Sequence, residues 1–130
     1  MNVVIGQLTL RVVMHVIDFG PERAAPITEY ASRGASAQPL ADGAGAAHVY
    51  AVHLAAGGEI GRHPAGFGQL FLVVAGEGWV AGADGVRHIV RAGQGAVIAR
   101  GELHAKGSET GCSAVMLQLA ELTPARDLLG

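Results

Sequence analysis

The chain has 130 residues, enough for one domain with a single core. Half of the residues are hydrophobic and only 15% are charged, a balance that excludes a disordered chain. The net charge of −2 gives no electrostatic footprint for nucleic acid or an anionic membrane, so neither is expected as a partner.

The opening stretch "MNVVIGQLTLRVVMHVIDFG" is apolar, but it has neither the basic leading segment nor the small-residue cleavage site of a secretion signal, and Arg11 interrupts it. No stretch approaches the ~20 apolar residues of a membrane span. A soluble, cytoplasmic protein is therefore expected. Short runs rich in Val, Ile, Leu and Phe predict strands at 8–17, 47–55, 69–74, 79–82, 86–90, 96–99 and 112–119. Between the first two lies an arm, residues 20–46, where Pro21, Pro26 and Pro39 predict irregular chain with one short helical turn. Turns are predicted at "AGEG" (75–78), "GADG" (82–85), "RAGQG" (91–95) and "GSETG" (107–111). Asp84-Gly85 is the strongest hairpin signal, because a tight turn there needs positive φ. The tail "LTPARDLLG" closes with a second short helical turn. Strands of this length and spacing predict an all-β sandwich or barrel. The expected organisation is one domain: an N-terminal strand and arm (1–46), a barrel (47–119) and a tail (120–130).

The chain carries no phosphate-cradling G-x-x-x-x-G-K-[ST], and the glycines of "GEGWVAG" are turn chemistry. Cys112 is the only cysteine, so no intrachain disulfide and no thiolate zinc cluster can form. Its apolar setting predicts an inert buried thiol. The six histidines are His15, His48, His53, His63, His88 and His104. His48 and His53 differ by an odd number, so in an unbroken strand only one of them faces inward. Along one strand, Gln69, Phe71 and Val73 alternate onto a common face.

Two stretches carry a more specific signal. "GGEIGRHPAGFGQLFLVVAGEG" places Gly57, His63, Gln69 and Gly76 in the register G-x5-H-x-H-x3-4-E-x6-G, with Ala65 at the second His and Gln69 at the Glu. "GQGAVIARGELHAKGS" keeps Gly93, Gly101 and His104 of G-x5-P-x-G-x2-H-x3-N, with Ala99 for the proline and Ser108 for the asparagine. These are the two motifs of the cupins, and the chain resembles small single-domain bacterial cupins over roughly residues 47–119. The resemblance implies a cupin-type antiparallel β-barrel, or jelly roll, with an N-terminal arm. It also implies a degenerate metal motif. "MHVIDFGPERAAPI" resembles the ordinary start of such proteins, so two expectations stand for residues 1–13: an extension or misplaced start ahead of it, or a genuine first strand.

In cupin metal sites two His and the Glu of the first motif converge with the His of the second. Here the resemblance leaves His63, Gln69 and His104 as the candidate metal ligands. Two imidazoles and a neutral amide oxygen make a weak site, so the cofactor expectation is either none or a weakly bound divalent transition metal. Without a metal, the pair His63 and His104 could hold a polar ligand, act as general acid and base near neutral pH, or remain as hydrogen-bonded structural residues. His15, His48, His53 and His88 are expected to be structural or exposed. Three functions stay open. The first is a cupin holding a small organic molecule in its barrel, with His63, Gln69, Phe71 and His104 as ligand-binding residues. The second is a metal-dependent oxygenase, isomerase or lyase using His63 and His104 with Gln69. The third is a structural dimer module. A homodimer is expected, because "LTLRVVMHVI" is long for a free edge strand.

Overall fold

The structure, a computed structural model, describes residues 2–5, 8–11 and 14–129. It is built almost entirely of antiparallel strands. The first two, β1 (Asn2–Ile5) and β2 (Leu8–Arg11), pair with each other and, among the described residues, with no other strand. The run predicted as one strand at 8–17 is thus two elements, and its second half is β3 (His15–Asp18). The arm holds a 3-10 turn (Pro21–Arg23) and a small ladder of β4 (Ala25–Pro26) and β5 (Ser36–Ala37).

Seven strands complete the sandwich: β6 (Ala41–Leu54), β7 (Glu59–Pro64), β8 (Gly68–Ala81), β9 (Arg87–Arg91), β10 (Gln94–Ile98), β11 (Leu103–Gly107) and β12 (Cys112–Pro124). A second 3-10 turn, Arg126–Leu128, ends the chain as the tail predicts. The "AGEG" segment is not a break. Gly76, at φ 78°, bends β8 without ending it, so that one strand serves both sheets. Its first half pairs with β10 and β12, and its second half pairs with β9 and β11. One layer therefore runs β3-β10-β8-β12-β6, and the other runs β9-β8-β11-β7.

Alternation assigns the faces. Phe71, Val73, Val80, Val90, Ala96, Ile98 and Ala114 form the cluster between the layers. Leu70, Val97, Leu122 and Leu128 form a second cluster on the back of the larger layer, where Leu40 of the arm also packs. A strand buried on both faces reads as a continuous apolar run, as "LFLVV" does. Phe71 and Val73 are fully buried, and each contributes about 1.5–3 kcal/mol by removal from water.

Two edges matter for function. Among the described residues β6 pairs only with β12 and β7 only with β11, so these two strands flank a side of the sandwich that no described strand closes. Pro64 is tolerated because β7 is an edge strand. Residues 42–51 of β6 are all exposed, including those in register with inward residues of β12 and β8.

Candidate functional site

The β7–β11 ladder sets His63 directly opposite His104. Their ring centroids lie 4.5 Å apart with planes tilted by 55°. His63 is exposed, and its Nδ1 is 2.7 Å from the Gly61 carbonyl oxygen. A carbonyl only accepts, so Nδ1 carries the proton and Nε2 presents a lone pair. His104 is fully buried, and neither ring nitrogen has a hydrogen-bond partner. Burial, then the charge of Lys106, then His63, hold its pKa down at about 3. It is a neutral imidazole at physiological pH, with one donor and one acceptor unused.

Gln69 and Phe71 come from β8 in the facing layer, and both are buried. Their side chains meet Lys106, which lies two residues beyond His104 on β11 and shares its inward face. The ammonium donates to Gln69 Oε1 at 2.9 Å, so the contact spans the two layers. Its other neighbours are soft: Met116 Sδ at 3.8 Å and the Phe71 ring centroid at 5.1 Å. Lys106 is 1% exposed, and burial pushes its pKa down to about 8, which still leaves it mostly charged at neutral pH. The ion pairs among the described residues are Arg87–Glu59 and Arg91–Glu77, both exposed, and neither involves Lys106. A buried ammonium without a carboxylate is the most unusual feature of this interior.

The remaining histidines stand apart. His48 is in register with Gln118 and Gln69 and so belongs to the inward face. It stacks on Phe67 at 5.7 Å and lies 6.3 Å from Tyr50, at the open side. His53 faces outward and its Nδ1 is 2.8 Å from Ser113 Oγ. The opposite facing of these two histidines is what their odd separation predicts. His15 is half-buried on β3, and His88 is exposed. Ser108, at the asparagine position of the second motif, is a turn residue: its hydroxyl donates to Glu77 O at 2.6 Å and accepts from Gly111 N–H at 2.7 Å. Burial raises the Cys112 thiol pKa, as an inert buried cysteine requires. Trp79 packs on Gly107, where a Cβ would come within 2.5 Å of the indole, and Arg87 covers its ring at 3.8 Å.

The donor set suits a dication poorly. Ala65 is buried in the cluster between the layers and offers no ligand atom. Gln69 has its oxygen on an ammonium, whose positive charge would repel a metal ion. Among the described residues no three His, Cys, Asp or Glu side chains come together to hold one. Lys106 is the residue that motif reasoning misses. Its signal was the two-residue step from His104, set against the general expectation that lysine is a surface residue.

The two depressed pKa values predict a pH profile for stability. For His104 the unfolded chain takes up protons near 6.5 and the folded chain only near 3, so stability is full above pH 6.5 and is lost as pH falls toward 3. For Lys106 the unfolded value of 10.5 lies above the folded value of about 8, so stability rises between pH 8 and 10.5. Each limb has a limiting slope of about 1.4 kcal/mol per pH unit. Urea midpoints from pH 3 to 10 check this: His104→Leu should flatten the acid limb and Lys106→Met the alkaline limb.

A scan against protein-family models gives no match, and a comparison with curated proteins gives no significant match. Solved structures do match. A cupin 2 domain-containing protein from Halorhodospira halophila aligns with TM-score 0.59 at 13% identity, over 88% of this chain and 82% of that one. A conserved protein with a double-stranded β-helix domain from Klebsiella pneumoniae aligns with TM-score 0.53 at 22% identity, over 81% and 92%. A conserved protein of unknown function from Streptococcus pyogenes aligns with TM-score 0.53 at 20% identity, and this chain covers 63% of its length. The protein thus has the cupin fold, a double-stranded β-helix, and the fold implied by the two motifs is borne out. Its first motif is degenerate at two ligand positions, Ala65 and Gln69. No helix among the described residues is long and apolar enough to cross a membrane.

Proposed function

We propose that this cupin barrel holds a small organic molecule at His63, Gln69, His104 and Lys106, without a divalent metal. The observation that carries the reading is His104, fully buried with two unpartnered ring nitrogens. A buried polar atom without a partner costs about 1–3 kcal/mol. Such orphans persist where water or a ligand supplies the missing bonds. Entry is from the side between β6 and β7, where His63 and Tyr50 are exposed. Phe71 and Met116 supply the apolar wall typical of a small-molecule site.

A thermal-shift screen of small polar organic molecules tests this. The expected result is a set of compounds that raise the melting temperature of the wild type but not of His104→Leu. A screen with no hits, or hits indifferent to His104→Leu, would overturn the reading. One observation favours the metal-dependent alternative: His63 Nδ1 is held by a carbonyl with Nε2 free, the usual posture of a ligating histidine. Lys106 weighs against it.

We also propose that the protein is a homodimer, and that β6 supplies the contact. It is a 14-residue edge strand whose Val49, on the face away from the barrel interior, is 65% exposed, and an uncovered edge of that length invites pairing. Light scattering at micromolar concentration should give twice the chain mass, and Val49→Lys should shift it toward monomer. A wild-type monomer would remove the proposal.

A further inference from the structure

We propose that the molecule bound in the barrel is an organic carboxylate, with its charged group seated on the Lys106 ammonium and the ring of His104. The inference rests on the reading of the barrel as a small-molecule site and names the class of ligand.

The Lys106 ammonium is a buried charge without a counter-charge among the described residues. Lys106 Nζ has three N–H donors, and the one oxygen within hydrogen-bond distance among the described residues is neutral Gln69 Oε1. Met116 Sδ and the Phe71 ring are weak acceptors that leave the charge uncompensated. Removing an ammonium from water costs several kcal/mol, and a neutral amide offsets only part of it. A carboxylate placed beside Nζ would neutralise the site and take up an unused donor. His104 is the second anchor. With two unpartnered nitrogens it can give its N–H to the other carboxylate oxygen.

Two features favour a carboxylate over a phosphate. Among the described residues there is a single buried cation, whereas phosphate recognition ordinarily recruits several charges, an arginine fork or a helix N-terminus. The fixed neighbours are also apolar: Phe71 and Met116 at the ammonium, with Phe67 and Tyr50 toward the open side. That lining suits a carboxylate with an aliphatic or aromatic body.

The test uses pairs that share an apolar body and differ in the head group, an anionic carboxylate or a neutral amide: benzoate against benzamide and hexanoate against hexanamide, titrated into the wild-type protein with detection by NMR chemical shifts. Inorganic phosphate serves as a competitor. The expected result is at least about tenfold tighter binding of each acid than of its amide, a difference of ~1.4 kcal/mol. The preference should disappear in Lys106→Met and, as a second variant that keeps a polar side chain, in Lys106→Gln. Amides binding as tightly as acids would overturn the carboxylate assignment while leaving the barrel site intact. Phosphate displacing the acids at lower concentration than they bind would also overturn it. No binding of any probe, together with no hits in the wider thermal-shift screen, would remove the small-molecule reading itself. An acid preference that survives both Lys106 variants would place the anion elsewhere and overturn the inference.

Discussion

Gln69→Leu is expected to destabilise the protein by about 3–5 kcal/mol, the usual consequence of leaving a buried charge without its partner. The substitution removes the one oxygen that receives the Lys106 ammonium and puts nothing polar in its place. For a chain of this length such a loss lowers the melting temperature by more than about 10 °C. The reverse change behaves differently. Lys106→Met keeps the length of the side chain and removes the charge, leaving only the neutral Gln69 oxygen to be satisfied, so it should lie within about 2 kcal/mol of the wild type. The double variant Gln69→Leu/Lys106→Met has neither group and should be at least as stable as the wild type, because apolar replacements for buried polar pairs are often neutral or stabilising. The double-mutant cycle should therefore show a coupling of more than about 2 kcal/mol. Simple additivity of the two single effects would mean that Lys106 does not depend on Gln69, and that its charge is met in some other way.

The same pair decides what a restored metal motif would do. Ala65 lies in the interior cluster, and Gln69 is buried with its oxygen on the Lys106 ammonium. Ala65→His and Gln69→Glu together recreate the family's ligand types in the register of the first motif. With Lys106 in place, however, the new carboxylate at position 69 would form a buried ion pair with the ammonium, and the charge of Lys106 would still oppose a dication. Adding Lys106→Met frees the carboxylate and removes the repulsion. The triple variant should bind Ni²⁺ at least about 100-fold more tightly than the wild type, ~2.7 kcal/mol. The double variant should fall well short of it. Equal affinity for the two would show that Lys106 does not compete with a metal.

Much of this site was legible in the sequence. The spacing of Gly57, His63, Gln69 and Gly76 puts an edge strand against a central one, and the structure places His63 opposite His104 as the two motifs imply. Gly57, Gly76, Gly93 and Gly101 all adopt positive φ, between 77° and 89°. The motif spacing is therefore partly a record of where the chain must turn. Alternation correctly set Phe71 and Val73 in one cluster, and the odd separation of His48 and His53 correctly split them between faces.

Other parts were hidden for physical reasons. β7 "EIGRHP" and β11 "LHAKG" are not apolar runs, so hydrophobic patterning passes over the two strands that hold the site. β6 begins at Ala41, six residues before the predicted run. Its "ADGAGA" start has low strand propensity and is held instead by pairing with residues 121–124 of β12. Gly76 looked like a turn because glycine usually ends a strand, whereas here it kinks one that continues into the second layer. Lys106 was concealed by its type. Only the company of Gln69, which stands where the family pattern has a carboxylate, points to a neutral partner for its ammonium.

We propose that the barrel works without a divalent metal because the Lys106 ammonium, held by Gln69, opposes a dication. Calorimetric titration of the wild-type protein with Ni²⁺ tests it most directly. The wild type should show no stoichiometric binding at micromolar concentrations, with a tight site appearing in Ala65→His/Gln69→Glu/Lys106→Met. Tight one-to-one binding by the wild type, abolished by His104→Ala, would contradict it.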